Sequence, residues 1–385
     1  MTTAADPMTL IAQFADTSWR ADPFPLYRRL ADEFGDFAGD NFFLATSYSA
    51  ASQVLRDDRF GNAPTDDTIF LAMNPPEHTR MRRFVTKPFS PTAVQKWASR
   101  IDALVSDLLD KAEERGTLDV VGDVAYPTPL TVICELLGAP EEDHDDLRRW
   151  SRAIAPTLDP FPLQPDLAKA AQEAEDEFRT WAAALAQRRA AHPGDDLLSQ
   201  LVVQQAAGAL NERELTGTCL LLLFAGHETT VNLISAGVLA LLQDGTAWDR
   251  IAEDPSLAPA AVDELMRYLS PVQYTSRSAL ADASINGTSL VKGTEVFLLI
   301  AAANRDPAEF DHPDRLDLDR PNNHHLGFGL GIHHCLGAPL AKLEAQVAIT
   351  NLARRYPRLH LIDGDPPTWR PTLTLRGLER LPVAV

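Results

Sequence analysis

The residues best suited to chemistry lie in one short string, FGLGIHHCLG, from Phe328 to Gly337. Cys335 stands just before a predicted helix, where unpaired backbone N–H groups and the positive end of the helix dipole stabilise a negative sulfur. Gly329, Gly331 and Gly337 let the backbone turn sharply and pass close to a flat ligand, because they carry no side chain to obstruct it. The string therefore predicts a thiolate beside a planar group.

Two other kinds of site fit this string less well. A dinucleotide-binding loop, G-x-G-x-x-G, needs glycine at 332 or 334, where Ile332 and His334 stand. A zinc site needs paired ligands at short spacing. No second cysteine lies near the possible metal ligands of this region. These ligands are His324, His325, His333, His334 and Cys335. The thiolate interpretation is therefore favoured.

The same string resembles the haem-binding loop of the cytochrome P450 family, Phe-Gly-x-Gly-x-His-x-Cys-x-Gly, at every defined position. The resemblance implies that Cys335 is the metal ligand of haem (heme b, iron protoporphyrin IX), with Phe328, Gly329 and Gly337 against the cofactor. The two haem propionates need cationic or hydrogen-bonding partners when they leave water. The residues that match family positions with that role are His78, Arg82, Arg277 and His333.

A second motif, AGHETT from Ala225 to Thr230, interrupts the apolar run of a predicted buried helix. It resembles the family's oxygen-activation motif, which implies that Ala225 adjoins the haem, that Gly226 makes room, and that Glu228 and Thr229 are the catalytic acid–alcohol pair. The chemistry needs protons at a dry site, so that the O–O bond breaks heterolytically. Thr229 would hold water and Glu228 would relay protons. The structural alternative is a helix kink with polar side chains bonded to the previous turn.

A third motif is a pair of opposite charges, Glu264 and Arg267, on one helical face at i, i+3. Most such pairs are solvated and contribute little stability. This pair, however, resembles the Glu-x-x-Arg of the family, and Arg320 matches the arginine that completes a structural triad with it. The resemblance assigns the triad to folding and to the integrity of the haem pocket, not to catalysis.

Long segments without Gly or Pro carry apolar residues at spacings of three and four, which predicts helix for most of the chain. The clearest helices are Ala93 to Arg115, Asp166 to Ala191, Asn211 to Gln243, Leu257 to Leu269 and Leu340 to Tyr356. Asn211 and Glu214 predict a capping box. Strand signals lie near the C-terminus and at Phe42 to Thr46, Ser284 to Leu290 and Glu295 to Ile300. We therefore expect a mainly α protein with small β-sheets, a cytochrome P450 fold in a single large domain, residues 1–385.

Composition narrows the function further. Thirty-five basic and fifty-four acidic residues give a net charge of -19, which makes nucleic acid an unsuitable partner. The N-terminus has no long apolar run, so we expect neither signal peptide nor membrane anchor, and a cytoplasmic location. Three scattered cysteines do not form a secreted disulfide framework. Cys134 and Cys219 lie in apolar helical contexts, where we expect inert thiols.

The resemblance implies an oxidoreductase, a cytochrome P450 monooxygenase that inserts one oxygen atom from O2 into a lipophilic small molecule by hydroxylation or epoxidation, in secondary metabolite biosynthesis. Electrons would come from NAD(P)H through ferredoxin reductase and ferredoxin. One cluster of basic residues suits either a docking patch for an acidic ferredoxin or a solvated turn, and the two interpretations are equally supported. The cluster consists of Arg80, Arg82, Arg83 and Lys87. Peroxide-driven oxidation or oxidative coupling on the same haem is the alternative, and a non-catalytic haem-binding sensor is less favoured.

The segment that covers the substrate in this family is short here, because only fourteen residues, Gly61 to Asn74, separate Phe60 from the sequence PPEH. We therefore expect an open pocket, suited to a bulky or carrier-held substrate. The predicted pocket walls are mostly apolar, which suits a lipophilic substrate. They are Gly61 to Asn74, Ala155 to Gln164, Leu222 to Thr229, Val272 to Thr275 and Thr372 to Leu375.

Overall fold

The computed structural model describes residues 7–63 and 69–385, and helices dominate that part of the chain. The α-helices are α1 (Pro7–Ala12), α2 (Phe24–Phe34), α3 (Tyr48–Arg56), α4 (Glu77–Val85), α5 (Pro91–Val94), α6 (Ala98–Arg115), α7 (Pro127–Leu137), α8 (His144–Ile154), α9 (Pro165–Ala191), α10 (Leu197–Ala206), α11 (Glu212–Asp244), α12 (Ala247–Glu253), α13 (Ala258–Leu269), α14 (Ile300–Ala303) and α15 (Ala338–Arg355). Turns of 3-10 helix join many of them, and a π-helix, Val120–Ala125, precedes α7. The mainly α prediction is confirmed.

The strands are short and form small sheets, as predicted. They are β1 (Phe37–Ala38), β2 (Phe42–Ala45), β3 (Phe60–Gly61), β4 (Leu118–Asp119), β5 (Thr275–Ala279), β6 (Ala283–Ile285), β7 (Thr288–Leu290), β8 (Glu295–Leu298), β9 (His360–Leu361), β10 (Thr368–Trp369), β11 (Leu378–Arg380) and β12 (Pro382–Ala384). The largest sheet has the order β1-β2-β8-β5-β3, in which β8 runs parallel to β2 and antiparallel to β5. The smaller sheets pair β10 with β11, β6 with β7, and β12 with both β4 and β9.

The long helix α11 lies at the centre of the fold, packed against α7, α9, α13 and α15. It begins at the predicted capping box: the Asn211 side chain accepts from the Glu214 N–H at 2.9 Å, and the Glu214 carboxylate accepts from the Asn211 N–H at 3.0 Å. The helix is α-helical without interruption through the AGHETT motif. Thr229 and His227 nevertheless bond to carbonyls of the previous turn, as the structural alternative expects. A Cβ added at Gly226 would lie 3.0 Å from the Ile133 side chain. Glycine there permits close packing against α7.

Two predicted boundaries need correction. The helix expected from Ala93 to Arg115 is divided into α5 and α6 by a 3-10 turn, Gln95–Trp97. Its first segment begins early, at Pro91, because proline has no N–H to leave unpaired in the first helical turn. The strand expected to reach Ile300 ends at Leu298, since Ile300 begins α14. Neither change moves a motif to another element.

Two segments, Val120–Leu137 and Glu212–Asp244, have the length and apolar composition of a membrane span. About three quarters of each is covered by the rest of the protein, with 72% and 78% of their apolar windows buried. Apolar residues on all sides of a helix are also expected of a buried core helix. The two segments therefore form the helical core of this fold.

Candidate functional site

The loop that carries Cys335 is held in a tight conformation. Gly329 and Gly331 have φ angles of 65° and 67°, in the left-handed region that favours glycine. A Cβ at Gly331 would lie 2.3 Å from the Leu55 carbonyl oxygen, so a side chain there would collide with backbone. The Cys335 N–H donates to the Phe328 carbonyl at 2.8 Å and closes the loop. The cysteine therefore occupies a fixed position before α15.

The Cys335 thiol is half-buried. Burial raises the pKa of this thiol, whereas the backbone N–H groups of Gly337 and Ala338 and the Arg82 guanidinium act in the opposite direction without outweighing it. Burial therefore opposes the stabilisation that the helix terminus gives to a negative sulfur, an effect that a linear sequence does not display. A bound metal cation deprotonates a coordinating thiol outright. The site thus suits a cysteine that ionises when it binds metal.

Two neighbouring histidines, one on α4 and one in this loop, have buried ring nitrogens without a hydrogen-bond partner among the described residues. The rings of His78 and His333 lie with centroids 4.2 Å apart. Both ring nitrogens of His78 and Nε2 of His333 are buried without a partner among the described residues. Burial, followed by the charges of Arg277, His78 and Arg82, lowers the pKa of His333 to about 3. The unpartnered ring nitrogens of these histidines and the nearby arginine charges indicate a binding place for an anionic ligand.

Separate parts of the chain bring these groups together. His78 and Arg82 lie one turn apart on α4, Arg277 lies on β5, and His333 lies in the cysteine loop. Arg82 Nη2 donates to the His334 carbonyl at 2.5 Å, which ties α4 to the loop. Burial also lowers the pKa of Arg277. Two carboxylates, such as the propionates of haem, would compensate this cluster, so the residues present fit that cofactor.

Ala225 indicates an internal cavity beside α11. Its side chain is exposed, although Leu223 and His227 on the same helix have exposed fractions of 2% and 0%. Because α11 lies in the core, the exposed surface of Ala225 faces an interior space. One turn later, the half-buried Thr229 hydroxyl donates to the Ala225 carbonyl at 3.1 Å. That bond uses the hydroxyl proton, so the Thr229 oxygen can still accept a hydrogen bond.

The Glu228 carboxylate is fully buried and held by other groups. Oε1 accepts from the Ser151 hydroxyl at 2.9 Å and lies 3.3 Å from His227 Nε2, and Oε2 accepts from Arg370. Burial alone would raise the pKa of Glu228, but the hydrogen bonds and charges of His227 and Arg370 outweigh it and hold that pKa below its ordinary value. In the described part of the chain, no hydrogen bond joins Glu228 to Thr229. The Glu228 carboxylate is therefore held in its ionised form by these hydrogen bonds and charges.

Ser151 and Arg370 were not predicted as site residues. They lie 77 and 142 positions from Glu228 in sequence. Neither stands in a motif that indicates a carboxylate partner. Only the fold brings α8 and the strand region after β10 against the centre of α11.

Glu264, Arg267 and Arg320 are in contact. Two nitrogens of Arg267 donate to the Glu264 carboxylate, each at 2.8 Å, and Arg320 Nε donates to it at 3.0 Å. Glu264 and Arg267 have exposed fractions of 1% and 0%. Arg267 also donates to the carbonyls of Asn304 and Pro313 at 2.9 Å and 2.8 Å. The cluster joins α13 to the loop after α14.

The other cysteines offer no reactive group. Cys134 and Cys219 are buried, and burial raises the pKa of each thiol to about 12. Over residues 7–63 and 69–385, no three His, Cys, Asp or Glu side chains converge on a common point. A metal whose remaining ligands come from a porphyrin needs only one or two ligands from the protein. Cys335 is suited to such a metal.

The chain is similar in sequence and in structure to proteins of one family. A family model described as "Cytochrome P450" matches residues 41–376. The 6-deoxyerythronolide B hydroxylase of Saccharopolyspora erythraea is 36% identical, over 98% of this chain and 99% of its own. Ligand-free Mycobacterium smegmatis CYP164A2 is 41% identical with a TM-score of 0.93, over 98% of this chain and 100% of that one. P450BioI, solved with an acyl carrier protein ligated to hexadec-9Z-enoic acid, is 35% identical with a TM-score of 0.90, over 96% and 100%. The chain belongs to the cytochrome P450 family of monooxygenases.

Proposed function

We propose that this protein is a cytoplasmic haem-thiolate enzyme that inserts one oxygen atom from O2 into a lipophilic intermediate of secondary metabolism, by hydroxylation or epoxidation. The observation that carries the proposal is the pair of unpartnered histidines, His78 and His333, beside Cys335. Haem, when bound, supplies the redox chemistry that activates O2. Cys335 would bind the iron, and His78, Arg82, Arg277 and His333 would hold the propionates. The residues proposed to lie against the porphyrin are Ala225, Phe328, Gly329 and Gly337.

Three of the predicted pocket walls are joined by hydrogen bonds. The Asp159 carboxylate accepts from the N–H groups of Leu373 and Thr374 at 3.0 Å and 2.7 Å. The Leu158 carbonyl accepts from the Tyr274 hydroxyl at 2.9 Å and from the Thr374 hydroxyl at 2.7 Å. We propose that this cluster, the access latch, closes one side of the substrate pocket. The segments that it joins are 155–164, 272–275 and 372–375.

The short covering segment supports a bulky or carrier-held substrate. Residues 64–68 of Gly61 to Asn74 lie outside the described part of the chain. At its ends, Asn62 N–H donates to the Asn74 side chain at 2.9 Å, and Asn74 Nδ2 donates to the Asn62 carbonyl at 2.8 Å. These two hydrogen bonds hold Asn62 and Asn74 together. Little chain is then available to cover the pocket, as a substrate attached to a carrier would require.

The proposed ferredoxin surface is smaller than the sequence indicated. Arg80 donates to Glu214 and to the Ala209 carbonyl, and Arg82 donates to the His334 carbonyl, so both cations have internal partners. Arg83 and Lys87 are exposed and form no ion pair within the described residues. We propose that these two residues, on a chain with a net charge of -19, contribute to docking of an acidic ferredoxin.

Turnover with ferredoxin, ferredoxin reductase, NADPH and isotopically labelled O2 tests the proposal, and we expect one labelled oxygen atom in the product. Thr229→Ala should lower product per NADPH on the order of tenfold or more, with the missing electrons recovered as hydrogen peroxide, because a group that orients protons is lost. Thr229→Ser should restore coupling. Unchanged coupling in Thr229→Ala would remove Thr229 from catalysis, and turnover supported only by added peroxide would favour the peroxide-driven alternative.

Weakening the access latch should speed ligand exchange. Asp159→Asn retains the shape of the side chain but removes the negative charge that strengthens its hydrogen bonds to the Leu373 and Thr374 amides. We expect the latch to weaken by about 1.4 kcal/mol, which corresponds to a roughly tenfold faster dissociation of a bound ligand. Stopped-flow absorbance with a phenyl-substituted imidazole measures that rate in the haem-loaded protein. Asp166→Asn, at the exposed start of α9, is the matched control. Equal rates in the two variants would show that Asp159 does not hold the pocket closed.

A further inference from the structure

A cavity of about 550 Å³ lies between the start of α2, the end of α13 and the C-terminal half of α11. Its volume is within the range of pockets that bind small molecules, roughly 300–1,000 Å³. Its lining includes none of the residues proposed to hold haem, to form the access latch or to surround the substrate. Asp22 and Gln243 line the cavity and are exposed, so a solute can reach it from solvent.

Arg376 lines this cavity with a buried positive charge that has no counter-charge. The residue is 6% exposed, and its Nε and Nη2 donate to the carbonyls of Arg20 and Ala21 at 2.9 Å and 2.7 Å. Among the described residues, its Nη1 has no hydrogen-bond partner and its guanidinium forms no ion pair. Burial lowers the pKa of Arg376 to about 10. By contrast, the equally buried Arg267 is compensated by Glu264.

A second guanidinium, that of Arg305, is held rigidly at the same cavity. Its central carbon lies 3.3 Å from the centroid of the Phe24 ring and 4.0 Å from that of the Tyr268 ring. Nε and Nη2 donate to the Tyr268 carbonyl at 3.2 Å and 2.8 Å. The Asp314 carboxylate lies 3.4 Å from Nη1, but this aspartate is 58% exposed and also pairs with Arg28 at 2.6 Å. Solvent screens such an exposed carboxylate, so it compensates Arg305 only weakly.

The rest of the lining includes an apolar patch from two helices. The patch consists of Ala236, Leu239 and Ala240 on α11 and Leu269 on α13. A ligand in the cavity would therefore meet positive charge and apolar surface together. Burial of an apolar group against the patch is favourable. The ligand that suits both features has an anionic group attached to an apolar body.

The balance of charge selects among anions. Three arginines and two aspartates line the cavity, which leaves one net positive charge. The charged residues are Asp22, Arg28, Arg305, Asp314 and Arg376. One net positive charge matches a monoanion better than a phosphate dianion. A carboxylate is also planar, and the fork of a guanidinium binds it through two parallel hydrogen bonds.

We propose that this cavity is a second small-molecule site, which binds an organic carboxylate with an apolar body. Arg376 and Arg305 bind the carboxylate, and the apolar patch covers the body of the ligand. This site lies apart from the proposed haem pocket. It does not rest on the proposed function, because none of its residues contributes to oxygen insertion.

Calorimetric titration of the haem-loaded protein with naphthoate tests this site. A phenyl-substituted imidazole is present in excess, so that the haem pocket is already filled. We expect one naphthoate to bind per chain. The neutral analogue naphthalenemethanol should bind on the order of tenfold more weakly, because it does not compensate the arginine charges. Loss of naphthoate binding when the imidazole is added would place the carboxylate at the haem and overturn the second site.

A change of charge at Arg376 tests the proposed contact. Arg376→Gln should weaken naphthoate binding on the order of tenfold, because the buried positive charge is lost, and Arg376→Lys should restore part of the affinity. Arg354→Gln is the matched control, since it removes the same charge at an exposed position of α15. Naphthoate should bind to this control as it binds to the wild type.

Two further variants leave Arg376 and its backbone hydrogen bonds intact, so they decide the matter even where Arg376→Gln does not fold. Asp314→Asn removes the acid that competes for Arg305, so naphthoate should bind about threefold more tightly. Ala240→Leu fills the apolar patch and should weaken binding on the order of tenfold. The proposal is wrong if the wild type does not bind naphthoate, if Arg376→Gln binds it as tightly as Arg354→Gln, or if Asp314→Asn weakens binding.

Discussion

Cys335→Ser is expected to reduce turnover to the background of haem-free protein. A serine hydroxyl has nearly the shape of the thiol but donates far less electron density to iron, and donation from the thiolate favours O–O cleavage. The loop itself should survive, because it is closed by the Cys335 backbone N–H and not by the side chain. Product formation with ferredoxin, reductase and NADPH measures the effect, and near-ultraviolet circular dichroism reports on the fold.

The other two cysteines provide the control. Cys134 and Cys219 are buried thiols with pKa raised by burial to about 12. Their serine variants should retain turnover and lose only the modest stability that a buried hydroxyl costs. If Cys335→Ser still turned over substrate, or kept the red-shifted Soret band of the ferrous carbonyl adduct, the ligand would have to be another residue.

Glu264→Gln is expected to destabilise the protein by about 3–5 kcal/mol, the usual cost of removing one partner of a buried ion pair. The carboxylate compensates Arg267 and Arg320 and also accepts from the Asp317 N–H at 2.9 Å. The neutral amide leaves two guanidiniums in the interior without a counter-charge. Urea unfolding of the haem-loaded protein measures the loss, and we expect reduced haem retention with it.

Glu33→Gln is the corresponding surface change. Glu33 pairs with Arg29 at 3.3 Å and i, i+4 spacing, and the two side chains are 40% and 49% exposed. Such a pair contributes about 0.3–0.5 kcal/mol, so its loss should scarcely move the unfolding midpoint. Equal stabilities for Glu33→Gln and Glu264→Gln would mean that the buried cluster does not support the fold.

The strand region after β10 connects two parts of the proposed site. Arg370 holds Glu228, and three positions later the N–H groups of Leu373 and Thr374 hold Asp159 of the access latch. One short segment of the chain therefore contacts both Glu228 and Asp159.

Features encoded by local sequence were predictable. The capping box needs only Asn211 and Glu214 at the right spacing, and it forms as expected. The positive φ angles of Gly329 and Gly331 were likewise indicated by residue type. The mainly α fold followed from apolar periodicity, and the family from a motif of ten consecutive residues. In each case the determining atoms lie within a few residues of one another.

Features that depend on distant contacts were not predictable. Glu228 was expected to relay protons, but no local pattern indicates that Arg370, 142 positions away, donates to its carboxylate. The net pKa of Cys335 also depends on burial, which a linear pattern does not measure. Gly226 was expected to make room, but the sequence does not indicate that the side chain nearest to it, at 3.0 Å from an added Cβ, is Ile133 on α7. Each depends on which surfaces meet after folding.

The most direct test of the haem-thiolate proposal is X-ray absorption at the iron edge of the purified, haem-loaded protein. We expect one sulfur scatterer bound to iron in addition to the porphyrin nitrogens, and its loss in Cys335→Ser. An iron coordinated by nitrogen and oxygen alone, with the wild type and Cys335→Ser indistinguishable, would contradict the assignment of Cys335.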